Sequence, residues 1–419
     1  MSNLSKAEHP TRTRRGTKQA VTRGQASPAP DPTTPRGDTT GVIGGGGGIL
    51  YILTLWGVSR VILTIIGLVA RDQGMFSSRV SIPAGRADWL NIWSAWDSSW
   101  YYFIADIGYL ATPPDRQFSV WAFFPFYSWV TRAVAAVVGD TYVAALLVSN
   151  VSLLIGAWVF YKLVEHHHGD AMARKAVLFL FLFPTGYVLS CLMTEGLFFA
   201  LTVGAWYCAR QHNWFLAGLL GMASTTTRLV GLLMAPLLAL EYLRQRQWHL
   251  TRVRPDALWI GLVPIGLVVF MAACYTLTGN PLKFVDAQNE WGSRANPLWT
   301  LWWSLEMAWY GGFSPYGGFL GVGYGALAAI AAAGVLLWGR KQTGTLLCLW
   351  SLAQILISLA SHIRSAQSMP RYLAVIFPLF MILASLRTKS VAFVITVVVL
   401  SLLQAATFAL WTLGWGVAM

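Results

Sequence analysis

The amino-acid sequence predicts an all-α polytopic membrane protein, and three observations support this prediction. Of the 419 residues, 56% are hydrophobic and only 11% are charged, whereas soluble domains carry about 25% charged residues. The mean hydropathy is +0.54. Apolar runs of about 15 to 25 residues recur along the chain between short charged turns, as expected of membrane-spanning helices.

The first predicted region is a disordered basic tail at residues 1–41. It is rich in Pro, Thr, Ser and Arg and lacks hydrophobic periodicity, which is unlike a signal peptide. We expect this tail to lie in the cytoplasm beside anionic lipid. The glycines at 44–48 lack the GxGxxG spacing and a preceding strand, so they predict loose helix packing or a flexible helix entry rather than a phosphate-binding loop.

Residues 42–419 form the predicted integral membrane domain, with about eleven membrane-spanning helices. The first predicted span covers residues 50–70 and is followed by a long segment at residues 71–140. The remaining spans are predicted at residues 141–163, 176–191, 195–210, 214–226, 229–243, 256–277, 316–338, 344–361, 371–386 and 390–416.

The basic turns between these spans predict the orientation of the chain. Lys and Arg collect on the cytoplasmic side of membrane proteins, and here they occur at residues 162–175, 244–254, 340–341 and 387–389. These turns share the cytoplasmic side with the tail only if residues 119–139 do not cross the bilayer completely. We therefore expect that stretch to be juxtamembrane or re-entrant, within a long exoplasmic loop at residues 71–140 that carries juxtamembrane helices.

The net charge of +13 does not indicate a nucleic-acid partner. The basic excess is divided between the tail and the short turns, and no soluble segment combines a basic face with interleaved aromatic residues. The four cysteines are scattered through apolar runs and are predicted to be core residues. The three histidines at 166–168 lie in a predicted cytoplasmic turn without suitably spaced acids. The sequence predicts no cofactor and no metal site, and it leaves a metal requirement undetermined.

The segment at residues 96–109 contains the strongest candidate for a catalytic residue. Asp97 is a carboxylate among aromatic rings without a basic partner nearby in sequence. Desolvating an unpaired carboxylate destabilises the folded protein, so its presence here favours a chemical role. If residues 93–106 form one helix, Asp106 lies about 180° around it from Asp97. Asp97 is therefore the favoured working carboxylate and Asp106 a weaker candidate. Capping of a short helix is the alternative role for Asp97.

Five further residues on the predicted exoplasmic side are candidates. Arg228 and Arg371 border apolar spans, where an ionisable residue indicates function, although snorkelling to the interface is the alternative. Two cations on the face that holds a carboxylate suit a substrate that loses a phosphate. Glu195 begins a predicted helix, where complementing the helix dipole is the alternative role. Gln288 and Trp291 are candidates for an acceptor groove or for an ordinary polar loop.

Several short motifs occur in order between about residues 50 and 385. The first three are Trp-Asp with Gly-Tyr at residues 96–109, Phe-Phe-Pro-x-Tyr at 123–127, and Phe-Pro with Thr-Glu-x-Leu-Phe at 183–198. The other three are Trp-x-x-Ala-Gly-Leu with Thr-Arg-x-x-Gly at 214–231, Ala-Gln with Trp at 287–291, and Pro-Arg-Tyr at 370–372. As an ordered set they resemble the PIG-V-like (GPI mannosyltransferase II-like) family of the GT-C glycosyltransferase superfamily, and the short loops and basic tail resemble its bacterial members. One departure is Gly196, where the family usually has Ser.

The resemblance implies a GT-C-like bundle and an inverting mannosyltransferase of the cell membrane, with an exoplasmic active site. Its implied partners are a polyprenyl-phosphate-linked mannose donor, a lipid, glycan or protein acceptor, and membrane lipid. Asp97 would act as general base with Trp96 beside it, and Arg228 and Arg371 would bind the donor phosphate. The implied substrate-binding residues are Trp100, Tyr101, Glu195, Gln288 and Trp291.

Two other functions are compatible with the same residues. One is a non-catalytic transporter of lipid-linked sugars, and the other is a GT-C enzyme that uses another sugar, such as arabinose or glucose. A transporter predicts polar pairs that recur across a pseudo-repeat at mid-membrane depth. The sequence has no visible internal repeat, and its polar candidates cluster on one face, which favours the enzyme.

Overall fold

The structure is a computed structural model that describes residues 45–72, 86–111, 120–290, 292, 295–314 and 318–415. Within these residues the regular secondary structure is helical, without strands. The α-helices are α1 Gly45–Asp72, α2 Asp88–Asn91, α3 Ser98–Asp106, α4 Phe126–Val138, α5 Thr141–His168, α6 Asp170–Leu182, α7 Glu195–Arg210, α8 Trp214–Thr227, α9 Met234–Gln245, α10 Leu262–Thr278, α11 Lys283–Glu290, α12 Pro297–Tyr310, α13 Tyr324–Trp338, α14 Arg340–Thr343, α15 Thr345–Leu359, α16 Met369–Leu373, α17 Phe377–Ala384 and α18 Val391–Thr412.

Several of these helices are extended or joined by tighter or wider helical turns. Short 3₁₀ helices lie at Gly186–Leu189, Leu229–Leu233, Leu250–Arg252, Pro255–Gly261 and Ser365–Ser368, and a π-helical turn at Phe319–Gly323 precedes α13.

Five helices of the described chain are long and apolar enough to cross a membrane. They are Gly47–Asp72, Thr141–His168, Pro255–Thr278, Phe319–Trp338 and Val391–Thr412. A sixth is added if Ser365–Leu373 and Phe377–Ala384, which meet at a bend of 56°, form one broken span. Large apolar side chains are exposed on the outer helices, as a lipid-facing surface requires. The prediction of an all-α polytopic membrane protein is confirmed.

The remaining apolar runs form helices that are shorter than a full span, and proline explains two of the breaks. Helix α6 ends at Leu182 because Phe183, the residue before Pro184, takes an extended conformation with ψ 139°. Pro370 lies in the first turn of α16, and Pro378 lies in the first turn of α17. Proline is tolerated there because its missing N–H is not needed in a first helical turn.

The stretch predicted to be juxtamembrane or re-entrant forms the short helix α4. Its 13 residues extend about 20 Å at 1.5 Å per residue, which is less than the roughly 30 Å hydrocarbon core. Gly139 ends the helix with φ 79°, a left-handed conformation that glycine adopts readily. Asp140 then caps α5 by accepting a hydrogen bond from the backbone N–H of Val143 at 2.9 Å.

The buried chain between α6 and α7 is held by side chains from other helices. Gln404 on α18 donates from Nε2 to the carbonyls of Phe181 and Phe183, both at 2.8 Å. Thr185 Oγ1 donates to the carbonyl of Pro370 at 2.5 Å. These bonds satisfy carbonyl groups that a helix end leaves free. They also tie the two proline breaks to each other, so the chain segments that follow them lie side by side.

Two hydrophobic clusters form the core. One is centred on α5, α6, α7 and α17. The other is rich in aromatic rings and includes side chains from residues 92–109 and 120–127, the loop at residues 191–193 and the end of α18. Rigid aromatic rings bury large apolar areas with few rotatable bonds. The second cluster therefore forms a firm base under the segment that carries Asp97.

Candidate active site

Asp97 lies at a sharp turn rather than inside a helix. The preceding Trp96 has φ 54°, in the left-handed region that bulky residues rarely adopt, and α3 begins only at Ser98. The expected single helix over residues 93–106 is therefore wrong, because this turn separates α2 from α3. Asp97 stands at the N-terminal boundary of α3, but its side chain makes no capping hydrogen bond. Its carboxylate is instead directed to another part of the protein.

Two carboxylates and two arginines from four distant parts of the chain form one ion-pair network. Arg371 Nη1 lies 2.7 Å from Asp97 Oδ2, and Arg371 Nε lies 3.2 Å from Glu195 Oε1. The second contact has ion-pair distance without hydrogen-bond geometry, since Arg371 Nε has no hydrogen-bond partner among the described residues. Arg228 Nη1 lies 2.6 Å from the same Glu195 oxygen. The network therefore runs from Asp97 through Arg371 and Glu195 to Arg228.

The two ends of this network are more exposed than its centre. The side chains of Arg371 and Glu195 are 5% and 1% exposed, whereas those of Arg228 and Asp97 are 15% and 21% exposed. Buried charges are stable only when they are paired and hydrogen-bonded. The central pair therefore acts as a fixed support, and the two outer groups are the ones that a ligand can reach.

Aromatic rings hold the two guanidinium groups in place. The ring of Tyr372 lies 4.7 Å from the Arg228 guanidinium carbon and 5.1 Å from that of Arg371. Phe198 packs 5.8 Å from Arg228. Such contacts attract a cation to the ring face. Thr194 adds a hydrogen-bond acceptor, with its Oγ1 3.0 Å from Arg228 Nη1.

Tyr101 and Trp100 follow Asp97 on α3 and pack on the aromatic cluster. Tyr101 is 8% exposed and meets the rings of Phe123 and Tyr127 edge-on at 5.2 and 5.6 Å. Trp100 stacks on Phe123 at 5.3 Å. Burial raises the pKa of the Tyr101 phenol, and the charges of the network act on it as well. The phenol therefore keeps its proton at neutral pH and is available only as a neutral hydroxyl.

Local sequence explains how Arg228 leaves the helix that precedes it. The hydroxyls of Thr225, Thr226 and Thr227 donate to carbonyls one turn earlier in α8. This bonding keeps the polar side chains inside an apolar helix. Arg228 then becomes extended, with φ −153° and ψ 141°. The extended residue directs its side chain to the start of α7, where Glu195 lies.

Glycine is required next to Glu195. A Cβ atom added to Gly196 would overlap the carbonyl oxygen of Leu189 and lie 2.8 Å from that of Ser149. The start of α7 thus lies directly against α5 and the 3₁₀ turn before it. Glycine at this position therefore has a steric reason, because no side chain fits.

The structure places three of the other candidates away from this network or outside the described residues. Asp106 is at the far end of α3 and accepts a hydrogen bond from Thr141 Oγ1 at 2.7 Å. Gln288 is half-buried on α11, and no contact of Gln288 with the network is found in the described chain. Trp291 lies outside the described residues. Trp96 adjoins the network through Asp97, and its buried indole N–H has no hydrogen-bond partner among the described residues.

A metal site is not apparent in the part of the chain that the structure describes. No group of three or more His, Cys, Asp or Glu side chains there is placed to hold an ion. The three histidines at 166–168 form the last turn of α5. The positive charge available at the network comes from Arg228 and Arg371.

Four residues around the network were not among the sequence-based candidates. Thr194 and Tyr372 directly adjoin predicted residues, so their place in the sequence was an available signal. His362 lies close enough to Asp97 for that charge to act on it, and Gln354 lines a cavity with Arg228. Neither is marked by a motif, since one is in a loop and the other is in an apolar run.

Comparisons with known proteins give a fold likeness only. No family model matches the chain, and no curated protein matches it. Crystal structures of ArnT from Cupriavidus metallidurans, bound to undecaprenyl phosphate and in the apo state, are similar with a TM-score of 0.48 each. Their sequence identities are 16% and 17%, over 87% of this chain and 76% of ArnT. The activity of the present chain has to be argued from its own residues.

Proposed function

We propose that the protein is an inverting glycosyltransferase of the GT-C type that transfers mannose from a polyprenyl-phosphate donor on the exoplasmic face of the cell membrane. The observation that carries the proposal is the ion-pair network, in which Asp97, Glu195, Arg228 and Arg371 meet. Sequence motifs that resemble the PIG-V-like family contribute all four residues. A membrane-embedded frame also suits a donor with a polyprenyl tail.

Asp97 is the general base in this mechanism. Arg371 holds its Oδ2 atom at 2.7 Å, and Oδ1 accepts no hydrogen bond from any residue that the structure describes. An acceptor hydroxyl therefore donates to Oδ1 and loses its proton as its oxygen attacks the anomeric carbon. The bond from that carbon to the phosphate oxygen breaks, and its electron pair leaves with the phosphate. Attack and departure on opposite faces invert the anomeric configuration.

The charge balance of the network links proton transfer to departure of the phosphate. With both carboxylates and both guanidiniums ionised, the four side chains have no net charge. When Asp97 takes the proton, the network gains one positive charge, while the phosphate gains one negative charge as it leaves. Arg371 is then no longer neutralised by Asp97. Its charge, with that of Arg228, is available to stabilise the leaving group where its charge develops.

Transfer of labelled mannose tests this proposal. The full-length protein is purified in detergent and given polyprenyl-phosphate mannose with a mixture of lipid, glycan and peptide acceptors. Asp97→Asn should abolish transfer, and Asp106→Asn should leave it unchanged because Asp106 lies at the other end of α3. Full activity of Asp97→Asn would remove the base assignment.

The same assay distinguishes the two alternative functions. Polyprenyl phosphates of glucose and arabinose, offered in parallel, identify the sugar; transfer of one of these without mannose would correct the donor. If no sugar is transferred but the labelled donor crosses between the leaflets of reconstituted vesicles, the protein is a transporter and the proposal fails.

A further inference from the structure

A small cavity lies against the Arg228 end of the network. It has a volume of about 10 Å³ and lies between α15, the 3₁₀ turn after Arg228, and α16. Its lining includes Arg228, Tyr372, Gln354 and Ser358. A volume of this size holds about one water-sized group. The cavity therefore has room for a single oxygen atom of a larger molecule.

Gln354 brings an unpaired hydrogen-bond donor to this cavity. The residue is 4% exposed, and its buried Nε2 has no hydrogen-bond partner among the described residues. It stands on α15 within the apolar run Leu-Ala-Gln-Ile-Leu. Leaving a buried amide without a partner is destabilising, and native proteins rarely do so. A ligand that accepts a hydrogen bond from Nε2 would account for this unpaired amide.

A second deeply buried glutamine, on α18, shows the usual arrangement. Gln404 is 5% exposed, and its Nε2 donates to two backbone carbonyls at 2.8 Å. That amide serves the fold by closing a helix end. The Nε2 atom of Gln354 has no comparable partner in the described chain, so this donor is left for an acceptor atom that enters the cavity.

We infer that Gln354 and Arg228 together bind an oxygen of the phosphate group of the lipid-linked donor; this inference rests on the proposed function. An N–H donor and a guanidinium that face one water-sized space select a hydrogen-bond acceptor with negative charge. A phosphate oxygen meets both requirements, whereas a sugar hydroxyl brings no charge. Gln354 is thus a phosphate-binding residue that lines the cavity with Arg228, the arginine that pairs with Glu195.

Binding of a polyprenyl phosphate to the purified full-length protein tests this inference. Calorimetry in detergent compares polyprenyl phosphate with the unphosphorylated polyprenol, for the wild type, Gln354→Leu and Gln354→Glu. The matched control is Ser351→Ala, one turn earlier on α15. Ser351 is fully buried, but its Oγ donates to the carbonyl of Leu347 in its own helix at 2.7 Å.

The expected pattern separates ligand binding from folding. Gln354→Leu should weaken binding of the phosphate about tenfold, the effect of losing one hydrogen bond to a charged oxygen. Gln354→Glu should weaken it further because it places a carboxylate beside the phosphate. The Tm of Gln354→Leu should stay unchanged or rise, since the substitution removes an unpaired amide from an apolar site. A structural role for Gln354 would lower the Tm instead.

Three outcomes would overturn the inference. Equal phosphate binding by Gln354→Leu and the wild type would mean that the cavity holds only water, while the proposed function stands. Equal weakening by Ser351→Ala would mean that α15 is merely sensitive to substitution. If the wild type binds the phosphate no better than the polyprenol, the inference and the proposed phosphate-linked donor fail together.

Discussion

Two buried glutamates, each with two arginines, lie at opposite ends of the α7–α8 hairpin. Glu195 begins α7, and Arg228 follows the end of α8. At the other end, Arg210 closes α7 and pairs with Glu241 of α9. The 16 residues of α7 separate the two clusters by about 24 Å. Composition alone would treat these clusters as equivalent.

They differ in how completely the carboxylate is bonded. Glu241 accepts at Oε1 from Arg210, Arg244 and Gln245 at 2.8 to 3.1 Å, and at Oε2 from Arg244 at 2.8 Å. Glu195 binds both of its arginines through Oε1, and in the described part of the chain its Oε2 has one hydrogen-bond partner, the hydroxyl of Thr194 at 3.4 Å.

The Glu195 cluster also shares one arginine with Asp97, which is 21% exposed. A saturated buried cluster serves the fold, whereas one with spare acceptors and an exposed end is suited to a ligand. The distinction between the two clusters therefore lies in their unused hydrogen-bonding capacity.

The largest expected effect comes from replacing Asp97, the exposed end of the Glu195 cluster. Asp97→Asn should lower the rate of sugar transfer about 10²- to 10⁴-fold, since the proposed general base is lost. The fold should survive, because Asp97 is the most exposed member of the network. Transfer is measured per folded protein against Asp106→Asn. A decrease in the transfer rate of less than threefold would mean that the Glu195 cluster is not the catalytic one.

The next effect concerns the shared arginine. Arg371→Lys keeps the positive charge but replaces a planar fork with a single ammonium, which cannot face both Asp97 and Glu195 in the same geometry. Transfer should fall about 10²-fold, as when one preorganised donor is removed from a transition state. Steady-state assays should show the loss in kcat. A change confined to KM would assign Arg371 to ground-state binding instead.

Much of this site could be predicted, because charge in an apolar chain is conspicuous. Asp97, Glu195, Arg228 and Arg371 were all selected from the sequence, and the structure places them in contact. Their functional roles stay predictions. The turn at Trp96 could not be predicted, since its left-handed backbone depends on packing against the aromatic cluster.

The fold was predicted less completely in its details. Hydropathy located the apolar runs, but two of them are broken into shorter helices, one at Pro184 and the other just before Pro378. Gln354 was missed because an orphan amide is defined by the absence of a partner in three dimensions. Glu241 was missed because one of its partners, Arg210, comes from another helix, and the sequence does not show that the two helices meet there.

A stability measurement examines the Glu241 cluster, whose carboxylate is fully hydrogen-bonded. Glu241→Gln removes the buried carboxylate charge that pairs with Arg210 and Arg244 and should lower the free energy of unfolding by about 3 kcal/mol. Transfer per folded molecule should not change, because the cluster lies at the other end of the hairpin. Thermal unfolding in detergent, paired with the transfer assay, gives both values. A loss of turnover without a loss of stability would reverse the assignment of the two clusters.

The smallest effect concerns His362, which lies near Asp97. Burial and Arg364 lower the pKa of His362 below 6.5, and Asp97 only partly opposes this. The unfolded chain therefore binds more protons than the folded one as the pH falls below about 6.5, so stability decreases with falling pH. His362→Gln should flatten that decrease between pH 7 and pH 5. An identical pH profile of Tm in the variant would show that His362 is not buried as a neutral group.

The overlap at Gly196 has a consequence for exchanging segments of this chain. The carbonyls of Leu189 and Ser149 occupy the space that a side chain at position 196 would need. A single Gly196→Ser replacement would push the acid-bearing helix away from its support. Residues 189–196 therefore have to be transplanted as one block, together with the facing part of α5, if a chimaera is to keep Glu195 in place.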